Sequence, residues 1–178
     1  MNSEHRGTVK RGDAVPQQHT ALAADSASAQ YLTFALAGGA FAIPILSVRE
    51  IRGWEEVAQV PRSPDYVLGV MNLRGAVVPV LDLRARLGME RRERTPTSVV
   101  IVVRVDIANG NEVLIGCLVD GVSDVVSFAA DRTRPTPDAC GTVDTHFLAG
   151  VATLDQQLVM VIDLVRLVEM SNAAPAAA

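Results

Sequence analysis

Few side chains in this 178-residue sequence are spaced for chemistry. His5 and His19 lie in a polar N-terminal stretch, and His146, in "DTHFLAG", has no cysteine or second histidine at ligand spacing, so it reads as a structural or surface residue rather than a metal ligand or phospho-acceptor. Cys117 and Cys140 are 23 residues apart, which is neither a metal spacing nor a disulfide framework. Cys117 sits inside "VLIGCLV" and reads as a buried, inert thiol; a reactive one would need an exposed, electropositive setting. Ser98, Ser123 and Ser127 have no base beside them, and no phosphate-cradling loop, nucleophile elbow or zinc motif occurs. Asp82 and Asp163 each stand before a short helical pattern, where a carboxylate caps the helix; a catalytic carboxylate pair would need convergence that the spacing does not suggest. The expectation is a protein with no catalytic residue, metal or cofactor.

Two charged residues remain of interest. In "GVMNLRGAVVPVLDL" (69–83), Asn72 and Gly75 mark a turn with Leu73-Arg74 at its corner, which puts Arg74 on the rim of an apolar sheet. Glu50 lies at another strand bend in the same half of the chain. The pair is either a surface ion pair of small worth or the edge of a docking groove, a task that suits the planar fork of arginine.

The elements that would position these residues are mostly strands. Apolar residues form 49% of the chain and charged residues 20%, a globular composition. A net charge of −4, a pI near 5.3 and 4% aromatics argue against a nucleic-acid partner. No apolar run reaches membrane-spanning length and the N-terminus lacks the apolar core of a secretion signal, so a soluble, cytoplasmic protein without membrane insertion is expected. Residues 1–29 read as a mobile tail and 171–178 as a second tail. "YLTFAL" and "AFAIPI" flank Gly38-Gly39 as a hairpin, Asn109-Gly110 separates two further strands, and "DLRARLG" and "DLVRLVEM" are short helices after Asp82 and Asp163.

The chain also repeats. At an offset of 81, "GVMNLRGAVVPVLDL" falls on "GVATLDQQLVMVIDL" (150–164), with seven of fifteen positions identical and Tyr66 on Phe147. At an offset of 74, Val48, Glu50, Ile51 and Pro61 fall on Val122, Asp124, Val125 and Pro135. One insertion in the second copy reconciles the two offsets. The fold expected is mostly β: an internal duplication giving a first small barrel at about 41–95 and a second at about 96–162, with a terminal strand and helix packing across. By the same offsets Asp120-Gly121, whose counterpart is Leu46-Ser47, reads as a bend in continuous strand rather than a hairpin turn. The counterparts of Glu50 and Arg74 are Asp124 and Asp155, so this pair is not duplicated.

The motifs "VREIRGWEEVAQVP", "GVMNLRGAVVPVLDLR" and "CLVDGVSDVVS…RPTPD" resemble the CheW family of bacterial chemotaxis coupling proteins over about residues 30–170. The resemblance implies two intertwined five-stranded SH3-like β-barrels in a single domain, a fold shared with the regulatory domain of the histidine kinase CheA. It implies a non-catalytic scaffold linking the helical cytoplasmic tips of methyl-accepting chemoreceptors to that kinase domain, held at membrane receptor arrays through its partners. By position, the receptor groove would comprise Ile45, Val48, Glu50, Gly69, Arg74, Val99, Gly116 and Val122, with the two glycines allowing close approach. Kinase-facing surfaces would lie at Val57, Val60 and Pro61 and at Arg134, Pro135 and Asp138, through which further copies could alternate in a ring. The family often has a bulky aromatic after the position of Asp138; Ala139 here implies a weaker contact. A coupler for a non-motility pathway, such as surface sensing or pilus control, and a ligand-binding β-barrel accessory module are the alternatives.

Overall fold

A computed structural model describes residues 28–107, 110–129, 133–136 and 143–169. The C-terminal tail, nearly all of the N-terminal one, Asn109, Asp138, Ala139 and Cys140 lie outside the described residues. Ten strands and two short helices follow in chain order: β1 (Ser28–Leu36), β2 (Gly39–Pro44), β3 (Val48–Gly53), β4 (Val67–Leu73), β5 (Ala76–Asp82), α1 (Leu83–Arg86), then β6 (Val99–Ile107), β7 (Asn111–Val119), β8 (Gly121–Ala129), β9 (Leu148–Leu154), β10 (Gln157–Ile162) and α2 (Leu164–Glu169).

The strands form two five-stranded curled sheets, ordered β8-β1-β2-β10-β9 and β3-β6-β7-β5-β4. Replacing each strand of the first copy (β1 to β5) by its counterpart in the second (β6 to β10), and the reverse, turns one order into the other. Each sheet therefore takes two strands from one copy and three from the other, and the parallel pairs β5·β7 and β10·β2 are where the copies cross. This interleaving corrects the barrel limits expected from sequence. The copies part between α1 and β6, but β6 and β7 belong to the sheet of β3, β4 and β5.

Alternation along the strands sends side chains to three cores. Met71, Leu73, Val78, Val80, Val100, Val102 and Leu118 fill the inside of one curled sheet. Tyr31, Ala42, Phe128, Ala152, Val159 and Val161 fill the other, where Tyr31 stacks on Phe128 at 4.1 Å. The largest core, which includes Phe34, Phe41, Ile101, Val103, Cys117 and Leu167, lies between the sheets and is shared by both. This is why β6 and β7 read as unbroken apolar runs: each is buried on both faces.

Equivalent hydrogen bonds recur across the duplication. Asp82 Oδ1 accepts from the Ala85 amide at 3.2 Å, and Asp163 Oδ1 from the Arg166 amide at 3.1 Å. The amides of Asp82 and Asp163 donate to Tyr66 and Phe147 carbonyls at 2.8 and 2.9 Å. Both aspartates thus cap their helices as expected. Two hairpin corners sit one residue from where the sequence put them. Ala37-Gly38 forms the β1–β2 corner, with φ of 52° and 80°. Arg74-Gly75 forms the β4–β5 corner, with φ of 50° and 91°, the type I′ geometry that suits right-twisted strands. Asn72 moves that corner, because its Oδ1 accepts from the Gly75 amide at 2.8 Å. Asp120 is a bend between β7 and β8, as the repeat implied, and here the chain passes from one sheet to the other.

Candidate binding surfaces

Paired residues define one row across the second sheet: Glu50, Val102, Gly116, Val80 and Gly69, from β3 through β6, β7 and β5 to β4. Three residues expected in the receptor groove therefore share one line. The equivalent row in the first sheet is Asp124, Thr33, Ala42, Val161 and Gly150; Thr33 bulges, and its hydroxyl donates to the Asp124 carbonyl at 2.8 Å.

The ends of the row differ from its middle. A Cβ on Gly116 would lie 2.8 Å from Val100 Cγ1 and 3.3 Å from Val80 Cγ2, inside the core of its own sheet. A Cβ on Gly69 would collide with the Ala58 carbonyl oxygen and lie 2.9 Å from Val57 Cγ2. The sequence reading has both glycines admit a docked partner; within the fold it is the protein's own chain that lies against them.

At the other end, Glu50 Oε2 accepts from Arg74 Nη2 at 3.2 Å, and Arg52 Nε lies 3.8 Å from Glu50 Oε1. β3 and β4 are the first and last strands of the sheet order, so the Glu50–Arg74 pair joins its two free edges. The Arg74 side chain is 87% exposed while holding a positive φ that few non-glycine residues adopt. Asp155, its counterpart, has the same backbone (φ 45°), but no ion pair involving Asp124 or Asp155 is formed among the described residues.

Ile45, Val48, Val99 and Val122 are each partly buried against the shared core. Val48 pairs with Val103 and Val122 with Phe34, at equivalent strand starts. Beside them Ile51 on β3 and Val125 on β8, again 74 apart, point apolar side chains into solvent. The repeat could have revealed these two, since apolar identity persists at both positions.

The kinase-facing residues expected from sequence, Asp138 aside, lie on two irregular strips. Ala58 bridges to Val70 in β4, and Arg134 bridges to Val151 in β9. Val57 is half-buried, Val60 and Pro61 are exposed on the first strip, and Arg134 and Pro135 are exposed on the second. The bridges are 76 residues apart, so Pro61 and Pro135 do not occupy the same register: Pro61 stands three residues after its bridge and Pro135 one after.

Two arrangements were not legible in sequence. Arg84 Nε donates to Asp120 Oδ1 at 2.9 Å, Arg84 Nη2 pairs with Asp120 Oδ2, and the Ala37 amide donates to the same Oδ2 at 2.8 Å. By the offsets, the counterparts of Arg84 and Asp120 are Val165 and Leu46. These apolar residues line an open cavity of about 540 Å³, with Pro44, Arg104, Ala149 and Leu164, and Leu46 is 88% exposed. One crossing between the copies is thus tied by an ion pair and the other is left open. The second arrangement is Arg86, buried in α1 with its guanidinium carbon 4.5 Å from the Tyr66 ring centroid and 4.4 Å from that of Phe147.

Among the described residues no group of three or more His, Cys, Asp or Glu side chains could hold a metal ion, and no helix is long and apolar enough to cross a membrane. A family model described as CheW-like domain matches residues 30–172. The chemotaxis protein CheW of Klebsiella aerogenes is 35% identical over 153 residues, covering 86% of this chain and 89% of that protein. A probable chemotaxis protein CheW of Rhizobium etli is 38% identical over 135 residues, 76% of this chain and 84% of that one. The crystal structure of the scaffolding protein TtCheW from Thermoanaerobacter tengcongensis superposes with a TM-score of 0.69 at 29% identity, covering 79% of this chain and 87% of that one.

Proposed function

The chain belongs to the CheW-like domain family, and on that premise we propose that it is a non-catalytic adaptor in chemotaxis, joining chemoreceptor tips to the regulatory domain of a histidine kinase. The observation that carries this reading is the Glu50–Arg74 pair. The duplication keeps the apolar frame, the turn conformation and the capping aspartates in both copies, so it marks what the fold needs. The pair occurs in one copy only, and Arg74 is spent on an exposed corner whose backbone disfavours it. A side chain that the fold does not need, held at a fixed place by Glu50, suits recognition of a partner.

The receptor tip, a helical hairpin, would lie along the margin of the shared core formed by Ile45, Val48, Val99 and Val122, with Glu50 and Arg74 at one end. The kinase domain would meet the strips at Val57, Val60 and Pro61 and at Arg134, Pro135 and Asp138, and further copies of the chain could use the same strips. The adaptor would work in the cytoplasm, at receptor arrays, through these contacts. Co-precipitation with a kinase regulatory domain and with a receptor tip fragment tests this: retention of both is expected, and retention of neither rejects the reading.

A further inference from the structure

We propose that Gly69 and Gly150 are positioning residues that hold the two kinase-facing strips on the open edges of the sheets. The inference rests on the coupling function proposed above and names the anchor of each contact surface.

β4 and β9 are edge strands, each the last in its sheet. An unpaired edge invites non-specific pairing, and covering it with another segment is the common remedy. Here each edge is covered at a single residue. Ala58 and Val70 exchange two backbone hydrogen bonds, 3.0 Å from the Ala58 amide and 2.8 Å from the Val70 amide. Arg134 and Val151 exchange two as well, at 2.8 and 2.9 Å. Outside these bridges neither strip pairs with a sheet among the described residues.

The residue before each bridged valine is glycine, and its backbone is the same in both copies, with φ of 151° for Gly69 and 156° for Gly150. Side chains other than glycine rarely adopt this conformation. Space forbids them too. A Cβ on Gly150 would stand 2.5 Å from the Arg134 carbonyl oxygen and from Thr133 Cγ2, and a Cβ on Gly69 would run into the Ala58 carbonyl oxygen. The strips can lie this close only because both positions lack a side chain. The Gly-Val pairs at 69–70 and 150–151 are among the identities kept between the copies, and the bridges give a physical reason.

The anchors match while the strips they hold do not. Val57, Val60 and Pro61 flank the first bridge; Arg134 is itself the bridging residue of the second and Pro135 follows it. Equivalent anchors therefore present unlike surfaces at the two ends of the molecule, which lets each end select a different face of a partner.

The test uses the full chain with Gly69→Ala, Gly150→Ala and, since glycine substitution strains the sheet itself, Ala58→Pro. Ala58 is exposed, so Ala58→Pro removes one bridging donor without adding bulk beneath the strip. Hydrogen exchange at the Val70 and Val151 amides and titration with a kinase regulatory domain and a receptor tip fragment are the readouts. Gly69→Ala and Ala58→Pro should release the Val70 amide, and Gly150→Ala the Val151 amide. Each should weaken the kinase domain about tenfold or more, and Ala58→Pro and Gly150→Ala, which lie outside the receptor groove, should leave the receptor fragment within about twofold. Unchanged exchange, or equal loss of both partners in Ala58→Pro or Gly150→Ala, would overturn the anchoring role. Failure of the unaltered protein to bind the kinase domain would instead overturn the coupling function.

Discussion

Arg86 in α1 donates from Nε and Nη2 to the carbonyl oxygen of Leu167 in α2, at 3.2 and 2.9 Å, and the two residues occupy the same position in their respective copies. The rings that enclose the guanidinium, Tyr66 and Phe147, are also counterparts. Arg86 therefore sits where the two copies meet and is held by matching elements of both. At this position one copy has the arginine and the other a fully buried leucine. Burial lowers the pKa of Arg86, and electrostatic interaction with Tyr66 and Asp144 opposes that shift. An arginine fits where a lysine would not, because a planar fork can stack between two rings and still reach a carbonyl.

Arg86→Ala should lower unfolding stability by about 2–4 kcal/mol, the sum expected for charged hydrogen bonds and cation–π contacts taken out of water. Arg86→Lys should recover only a minor part. Denaturant unfolding measures both, and an Arg86→Lys protein as stable as the unaltered one would exclude the stacking role.

Asp120→Ala should also be costly, at roughly 3 kcal/mol. It strands an Arg84 side chain that is only 13% exposed and leaves the Ala37 amide without its acceptor. At the counterpart position, the double substitution Leu46→Asp, Val165→Arg should be tolerated, since it builds the same pair where both residues now border an open cavity. Its thermal midpoint should exceed that of Leu46→Asp alone. Midpoints that simply add from the two single substitutions would show that the positions do not meet as Arg84 and Asp120 do.

Charge reversal at Arg74 should separate binding from folding. The pair with Glu50 is an exposed one, worth up to about 1 kcal/mol, so Arg74→Glu should unfold within that margin of the unaltered chain. Binding of a receptor tip fragment should fall, and the swap Glu50→Arg, Arg74→Glu should restore part of it if the pair acts as a unit. A loss of stability that accounts for the lost binding would assign Arg74 to the fold.

Cys117 should stay protonated and unreactive in the folded protein. It is buried in the shared core, and desolvation of the thiolate pushes its pKa up to about 12 from an ordinary 9. The unfolded chain loses this proton first. Stability attributable to the group is intact below pH 9 and falls by roughly 1.4 kcal/mol per pH unit as pH rises toward 12. Site-resolved alkylation should label Cys117 only on unfolding, and rapid labelling at pH 8 would contradict its placement.

The duplication and the helix caps were legible because they are local or repeat at fixed offsets: aspartate before a short apolar pattern, and identities kept at 74 and 81 residues. The exchange of strands between sheets was not. An unbroken valine and isoleucine run such as β6 states that both faces are buried, but not which strands lie on either side, and that choice is made by contacts distant in sequence. The turn at Arg74-Gly75 was placed one residue early because Asn72 shapes it through its side chain. Arg86 was missed for a different reason. Its partners are two ring faces and a backbone carbonyl, and none of these leaves a charge pattern to read. Glu50 and Arg74 stood out as a pair because both lie at strand bends of one copy, and the structure brings them together.

The most direct measurement is kinase autophosphorylation in receptor-containing membranes, with and without this protein. With it, the kinase should come under receptor control, its activity changing when the receptor binds its attractant. Without it, and with Arg74→Glu in its place, that control should be lost or weakened. Equal receptor control in the presence and absence of the protein would contradict the proposed coupling function.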